Sequence, residues 1–111
     1  MDMTMLLAAF FAGIFLINSI PHLVSSLRGE AFPTPFAKPS AVGFSTPLAN
    51  FAWGIINGVV GYYLLTLAPP MAPFGLAFCL FAAGAIIMGL YLVLHFTRVR
   101  QDMPPHRNRS G

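Results

Sequence analysis

From residue 39 to residue 97 the chain carries no Asp, Glu, Lys or Arg, and residues 3 to 27 carry none either. Nothing else in the sequence constrains the fold so tightly. A soluble domain keeps its surface wet with about a quarter of its residues charged. Here 8% are charged and 57% are hydrophobic. That balance excludes a soluble globular domain, a disordered chain and a nucleic-acid binder. A bilayer core of about 30 Å takes roughly 20 apolar residues of helix to cross. The first uncharged stretch holds one such span and the second holds two. The expected fold is therefore an all-α membrane protein with three transmembrane helices in a small bundle. The spans fall at about 3–27, 47–67 and 73–97, with a long Pro/Phe-rich interfacial loop over 28–46 and a flexible basic tail over 98–111.

Helix punctuation supports these limits. Gly29 stands where a left-handed cap closes the first span. Thr46-Pro47 supplies a capping hydroxyl followed by proline at the first helical position. Pro69, Pro70 and Pro73 divide the long apolar run into two spans, with Pro73 suited to a helix start. The first span lacks the basic lead of a secretory signal, since only Asp2 is charged before it, so it reads as a retained helix. The single cysteine, Cys79, falls inside the third span and reads as a packing thiol.

Three spans place the N-terminus and the 68–72 turn on one side, and the 28–46 loop and C-terminus on the other. Arg28, Lys38, Arg98, Arg100, Arg107 and Arg109, which are all the basic residues, share that second side. Basic residues resist translocation. The N-terminus is expected outside, with loop and tail in the cytoplasm and the arginines near anionic headgroups.

Association in lipid relies on close packing and interhelical hydrogen bonds rather than on hydrophobicity. The second span offers Gly54, Gly58 and Gly61, the first offers Ala8, Ala9, Ala12 and Gly13, and the third offers Ala82, Ala85 and Gly89. These small stripes suit packing among the three helices. The Gly54/Gly58 step is the alternative, a homo-oligomer contact, though GxxxG is a weak motif in glycine-rich spans.

Polar residues within spans are costly and need partners. Helix direction brings Asn18, His22, Asn50, Trp53 and His95 to similar depth near the loop side, with Asn57 about halfway across. Three uses compete. Pro21 leaves the Ile17 carbonyl without its helical donor, and neighbouring polar groups are placed to satisfy the kink or to bridge helices. His22 and His95 could instead face one another as ligands of a b-type haem. The third use is a pocket in which Asn and His bond to a quinone, a lipid or another apolar ligand. No metal cluster beyond a haem is expected.

In the loop, Pro33, Pro35 and Pro39 alternate with Phe32, Phe36 and Phe44. Prolines favour extended geometry, so the segment is expected to lie as a strap. Its phenyl rings would dip into acyl chains while Arg28 and Lys38 meet phosphates, directly beneath the polar cluster and placed to serve as its lid. Enzymatic activity is not expected. Glu30 is the only carboxylate near the cluster, and Ser25 or Ser26 with His22 lacks a third group.

The run from Asn18 to His22 (an NxxPH pattern), the run FPTPFAKP from Phe32 to Pro39, and Asn50 with Trp53-Gly54 together resemble a group of small uncharacterised bacterial inner-membrane proteins. The likeness covers roughly residues 15–65. It implies a bacterial inner membrane and carries no activity or site residue. The expected function is that of a helix-packing or interaction module, an oligomer or an accessory subunit of a membrane complex, with no cofactor. Its partners would be membrane lipids and a second copy or larger assembly, with no nucleic acid. The alternative is a haem-, quinone- or lipid-binding protein using Asn18, His22, Asn50, Trp53 and His95.

Overall fold

The computed structural model describes residues 2–102. Three helices make up most of it: α1 (Met3–Leu27), α2 (Pro47–Leu67) and α3 (Leu76–Gln101). All three are long and apolar enough to cross a membrane, consistent with a multi-pass membrane protein.

Local chemistry sets the helix ends. The Asp2 carboxylate accepts the Met5 amide at 2.9 Å and caps α1. At the other end Gly29 sits at φ 71, the Gly29 amide donates to Ser26, and the Glu30 amide reaches back to Ser25 at 2.9 Å. This pair of bonds is a Schellman closure. The Thr46 hydroxyl accepts the Ala49 amide at 3.1 Å, with Pro47 in the first turn of α2.

The third helix differs from expectation at both ends. It begins at Leu76 rather than Pro73, because Phe74 takes a left-handed backbone (φ 57) that no right-handed helix accommodates. The Gly75 amide closes that turn on Ala72. The helix then continues past Thr97 to Gln101, so the expected flexible tail starts as helix. Arg98, Arg100 and Gln101 are good helix formers, and the next proline comes only at residue 104. The remainder of that tail, including Arg107 and Arg109, lies outside the described residues.

α1 is the central helix. It packs along both α2 and α3, which barely touch each other. Its two faces are built differently. Toward α3, backbones meet: a methyl group at Gly13 would run into the Phe81 carbonyl, and one at Gly84 into the Phe10 carbonyl. Toward α2, glycines receive side chains, with Leu23 filling the space at Gly54 and Leu16 that at Gly61, each at 2.7 Å from the missing Cβ. Gly54 is thus occupied within the chain rather than free for a second copy.

The 28–46 loop is folded rather than strung along the boundary. Strands β1 (Phe32–Pro33) and β2 (Phe44–Ser45) pair antiparallel, with Phe32 opposite Ser45. Between them residues 34–43 run through turns and bends that include a cis Lys38–Pro39 peptide. Phe32 does not dip outward. It is buried between His22 and Phe96, at ring-centroid distances of 5.5 and 4.6 Å. Arg28 pairs with Glu30 at 2.7 Å.

Candidate functional site

The polar cluster sits at the loop end of the bundle, where the strand pair closes over α1. Asn50, fully buried on the first turns of α2, is its anchor. Its amide nitrogen lies 3.0 Å from the Phe32 carbonyl, 3.2 Å from that of Ser45 and 3.1 Å from that of Thr46. Three carbonyls around one nitrogen fix which way the carboxamide points. Its oxygen must then face His22, 2.7 Å away. A carboxamide oxygen can only accept, so His22 Nδ1 carries the proton and Nε2 keeps a lone pair.

His95 is held by the same logic from the other side. Its Nε2 lies 2.7 Å from the Ala41 carbonyl, to which it must donate. Nδ1 is then the acceptor nitrogen of the neutral ring. Tyr91, one turn earlier, stacks on the imidazole with an interplanar angle of 12°. Ala41 itself has a left-handed backbone (φ 59), and its amide donates to Thr34 at 2.8 Å. Thr34 is buried and shares a 2.6 Å hydrogen bond with Ser45. The loop is therefore pinned to α1 and α2 through Asn50 and to α3 through His95.

A second link lies deeper in the bundle. Asn18 donates to Asn57 at 2.9 Å, and Asn57 donates in turn to the Trp53 carbonyl at 2.8 Å. Ser19 and Ser26 bond back to carbonyls of their own helix. Trp53 is different. Its indole N–H is buried and is the one buried side-chain polar atom without a partner among the described residues. Phe36 packs edge-on against its ring at 5.7 Å.

These groups surround a cavity of about 210 Å³. Asn18, His22, Trp53 and His95 all line it, together with Tyr91 and, from the loop, Thr34. Four of the five residues singled out from the sequence thus share one cavity. Asn50 does not line it; it stands behind His22 and sets that ring's tautomer. Sequence reasoning missed Phe32 as an inward residue, and missed Thr34, Ala41 and Tyr91 altogether. Tyr91 was accessible to it, since Tyr91 and His95 are four apart and share a helix face. The Ala41 carbonyl was not, because no side-chain pattern marks a backbone acceptor.

No protein-family model, curated protein or solved structure matches the chain. The chemistry of the cavity therefore carries the functional reading. Two imidazoles each have one nitrogen tied to a protein acceptor and the other left as an acceptor, and Trp53, whose buried N–H has no partner among the described residues, lines the same cavity. Among the described residues no three His, Cys, Asp or Glu side chains group as metal ligands.

Proposed function

We propose that this is a ligand-binding membrane protein whose cavity takes the polar head of a small hydroxyl-bearing amphiphile, such as a quinol or a monoacylglycerol. The observation that carries this reading is a cavity lined by two imidazoles that each keep an acceptor nitrogen, with Trp53, whose buried N–H has no partner among the described residues, in the same wall. Buried polar groups are ordinarily satisfied, and in lipid an unsatisfied one is expensive. A hydroxyl both donates and accepts, so it complements this set. The folded loop, pinned through Asn50 and His95, is the roof that keeps lipid tails out.

A b-type haem does not suit this geometry. The cavity, at about 210 Å³, lies below the roughly 300–1,000 Å³ of ordinary ligand sites, and a macrocycle needs more. His95 Nε2 is also engaged by the Ala41 carbonyl. Loop residues Pro33, Thr34 and Ala41 enter the same cavity wall.

The second reading, a packing or accessory subunit, rests on the broad apolar outer face of α3, where Ile86, Ile87, Leu90, Val93 and Leu94 are exposed. Lipid tails cover such a face as well as a partner helix does, so the cavity is the more specific guide. The membrane we infer is a bacterial inner membrane, with the N-terminus outside and loop and C-terminus cytoplasmic. The one-sided placement of all six basic residues supports the orientation, and the NxxPH and FPTPFAKP resemblance supports the choice of membrane.

Trp53 is the only tryptophan in the chain, so its fluorescence reports the cavity directly. Titrating the purified protein with a short-chain quinol or monoacylglycerol should give a saturable emission change. His95→Leu should weaken it at least tenfold, the ~1.4 kcal/mol scale of one lost hydrogen bond. A non-saturable response equal in both proteins would overturn the proposal.

A further inference from the structure

A second and larger cavity has no role so far. It is an open groove of about 460 Å³ between α1 and α3, on the outer surface of the bundle. Ile17, Ile20 and Pro21 form one wall, and Gly89, Val93 and Phe96 form much of the other. Only two side chains in its lining are polar, Thr97 and Arg100, and both lie at the loop end. Leu92 and Phe96 also border the smaller cavity and stand between the two spaces.

Three features of the groove point the same way. The first is length. Gly89 to Arg100 spans about 16 Å at the helical rise per residue, roughly half of a 30 Å hydrocarbon core, which is the reach of one acyl chain in one leaflet. The second is charge. Arg28 and Glu30 form the one ion pair among the described residues, so Arg100 has no carboxylate partner there. The third is shape. Gly89 presents no side chain to the groove floor, and a methyl group there would meet Ile17 only at ordinary contact distance, 3.7 Å.

We propose that this groove is a binding site for an anionic phospholipid of the surrounding membrane, with one acyl chain laid over Gly89 and the phosphate on Arg100. Guanidinium and phosphate match in geometry, forming paired charge-assisted hydrogen bonds. The Thr97 hydroxyl lies one turn deeper, near the ester region of such a lipid. The lining suits a lipid, because it offers an open apolar groove with a single cation at one end. The site does not depend on the proposed ligand of the smaller cavity, as neither Arg100 nor Gly89 lines that cavity.

Native mass spectrometry of the detergent-purified protein tests this with palmitoyl-oleoyl phosphatidylglycerol and the corresponding phosphatidylcholine. The wild type should retain phosphatidylglycerol about fivefold better, the equivalent of ~1 kcal/mol for one basic residue at an anionic headgroup. Arg100→Gln should abolish that preference while keeping the melting temperature of the lipid-free protein. Gly89→Leu should reduce retention of both lipids by filling the slot. Val93→Phe, at an exposed position on the groove wall, serves the same purpose if Gly89→Leu fails to fold. Millimolar inorganic phosphate should not displace the lipid. Equal retention of the two lipids by the wild type, an unchanged preference in Arg100→Gln, or displacement by phosphate would each overturn the proposal. None of these readouts involves Trp53 fluorescence, so failure here is distinguishable from failure of the proposed function.

Discussion

Asn50 joins α1, the loop and its own helix through one carboxamide. Removing it strands the His22 N–H and takes a donor from the Phe32 and Ser45 carbonyls. A buried group left unsatisfied costs about 1–3 kcal/mol, so Asn50→Ala should lower stability by at least that amount. Asn18→Ala breaks a single interhelical bond to Asn57, and such bonds in membranes average about 0.6 kcal/mol. Melting temperatures in mild detergent should therefore fall much further for Asn50→Ala. Equal losses would mean that Asn50 is not the anchor. A different residue-scale test lies at Ala41, whose left-handed backbone (φ 59) suits glycine better. Ala41→Gly should leave stability unchanged or raise it by up to about 1 kcal/mol. A marked drop in melting temperature would show that the methyl group matters more than the backbone strain.

The helix pairs obey different rules on the two faces of α1. Against α3 the contact is backbone to backbone at Gly13 and Gly84, whereas at Gly58 the nearest atom to an added Cβ is 3.9 Å away. Gly84→Ala should therefore cost about 1–3 kcal/mol, the usual scale of overpacking. Gly58→Ala should be neutral or gain up to about 1 kcal/mol from helix propensity. Chemical unfolding in detergent separates the two outcomes. Spacing alone marked Gly58 as a small-residue contact and passed over Gly84 in favour of Ala82, Ala85 and Gly89, because the tight position depends on where the neighbouring helix lies. Element limits show the same division. α1 and α2 were readable to the residue because Gly29, Thr46 and Pro47 act through bonds within a few residues of themselves. The start of α3 was not, since Pro73 is compatible with either a helix start or a turn. The backbone of Phe74 chose the turn.

At the scale of the molecule, α1 is the spine and the loop is the clasp. Because α2 and α3 scarcely meet, each is held to the bundle by α1, and at the loop end by the bonds through Asn50 and His95. Orientation is a whole-molecule property as well, set by the summed placement of basic residues. In a Cys79→Ala background, Ser40→Cys in the exposed loop turn should resist a membrane-impermeant maleimide in intact cells. It should react once the membrane is permeabilised. Labelling in intact cells would place the loop outside and reverse the proposed topology. The roughly common depth of His22, Trp53 and His95 was readable from helix rise alone. Depth says nothing about azimuth, however, and the lateral approach of these residues depends on how α2 and α3 turn around α1.

By itself the sequence determined the solvent, the number of spans and the end of the bundle where polar chemistry gathers. Each of those follows from properties that add along the chain: charge, hydropathy and a fixed rise per residue. Tertiary structure alone decided that Phe32 turns inward, that the Ala41 carbonyl holds His95, that Asn50 supports the cavity without lining it, and that the Trp53 N–H finds no partner among the described residues. Those outcomes depend on contacts between residues far apart in the chain, and on backbone groups that every residue carries. A pattern of side chains cannot encode which backbone carbonyl a distant histidine will find.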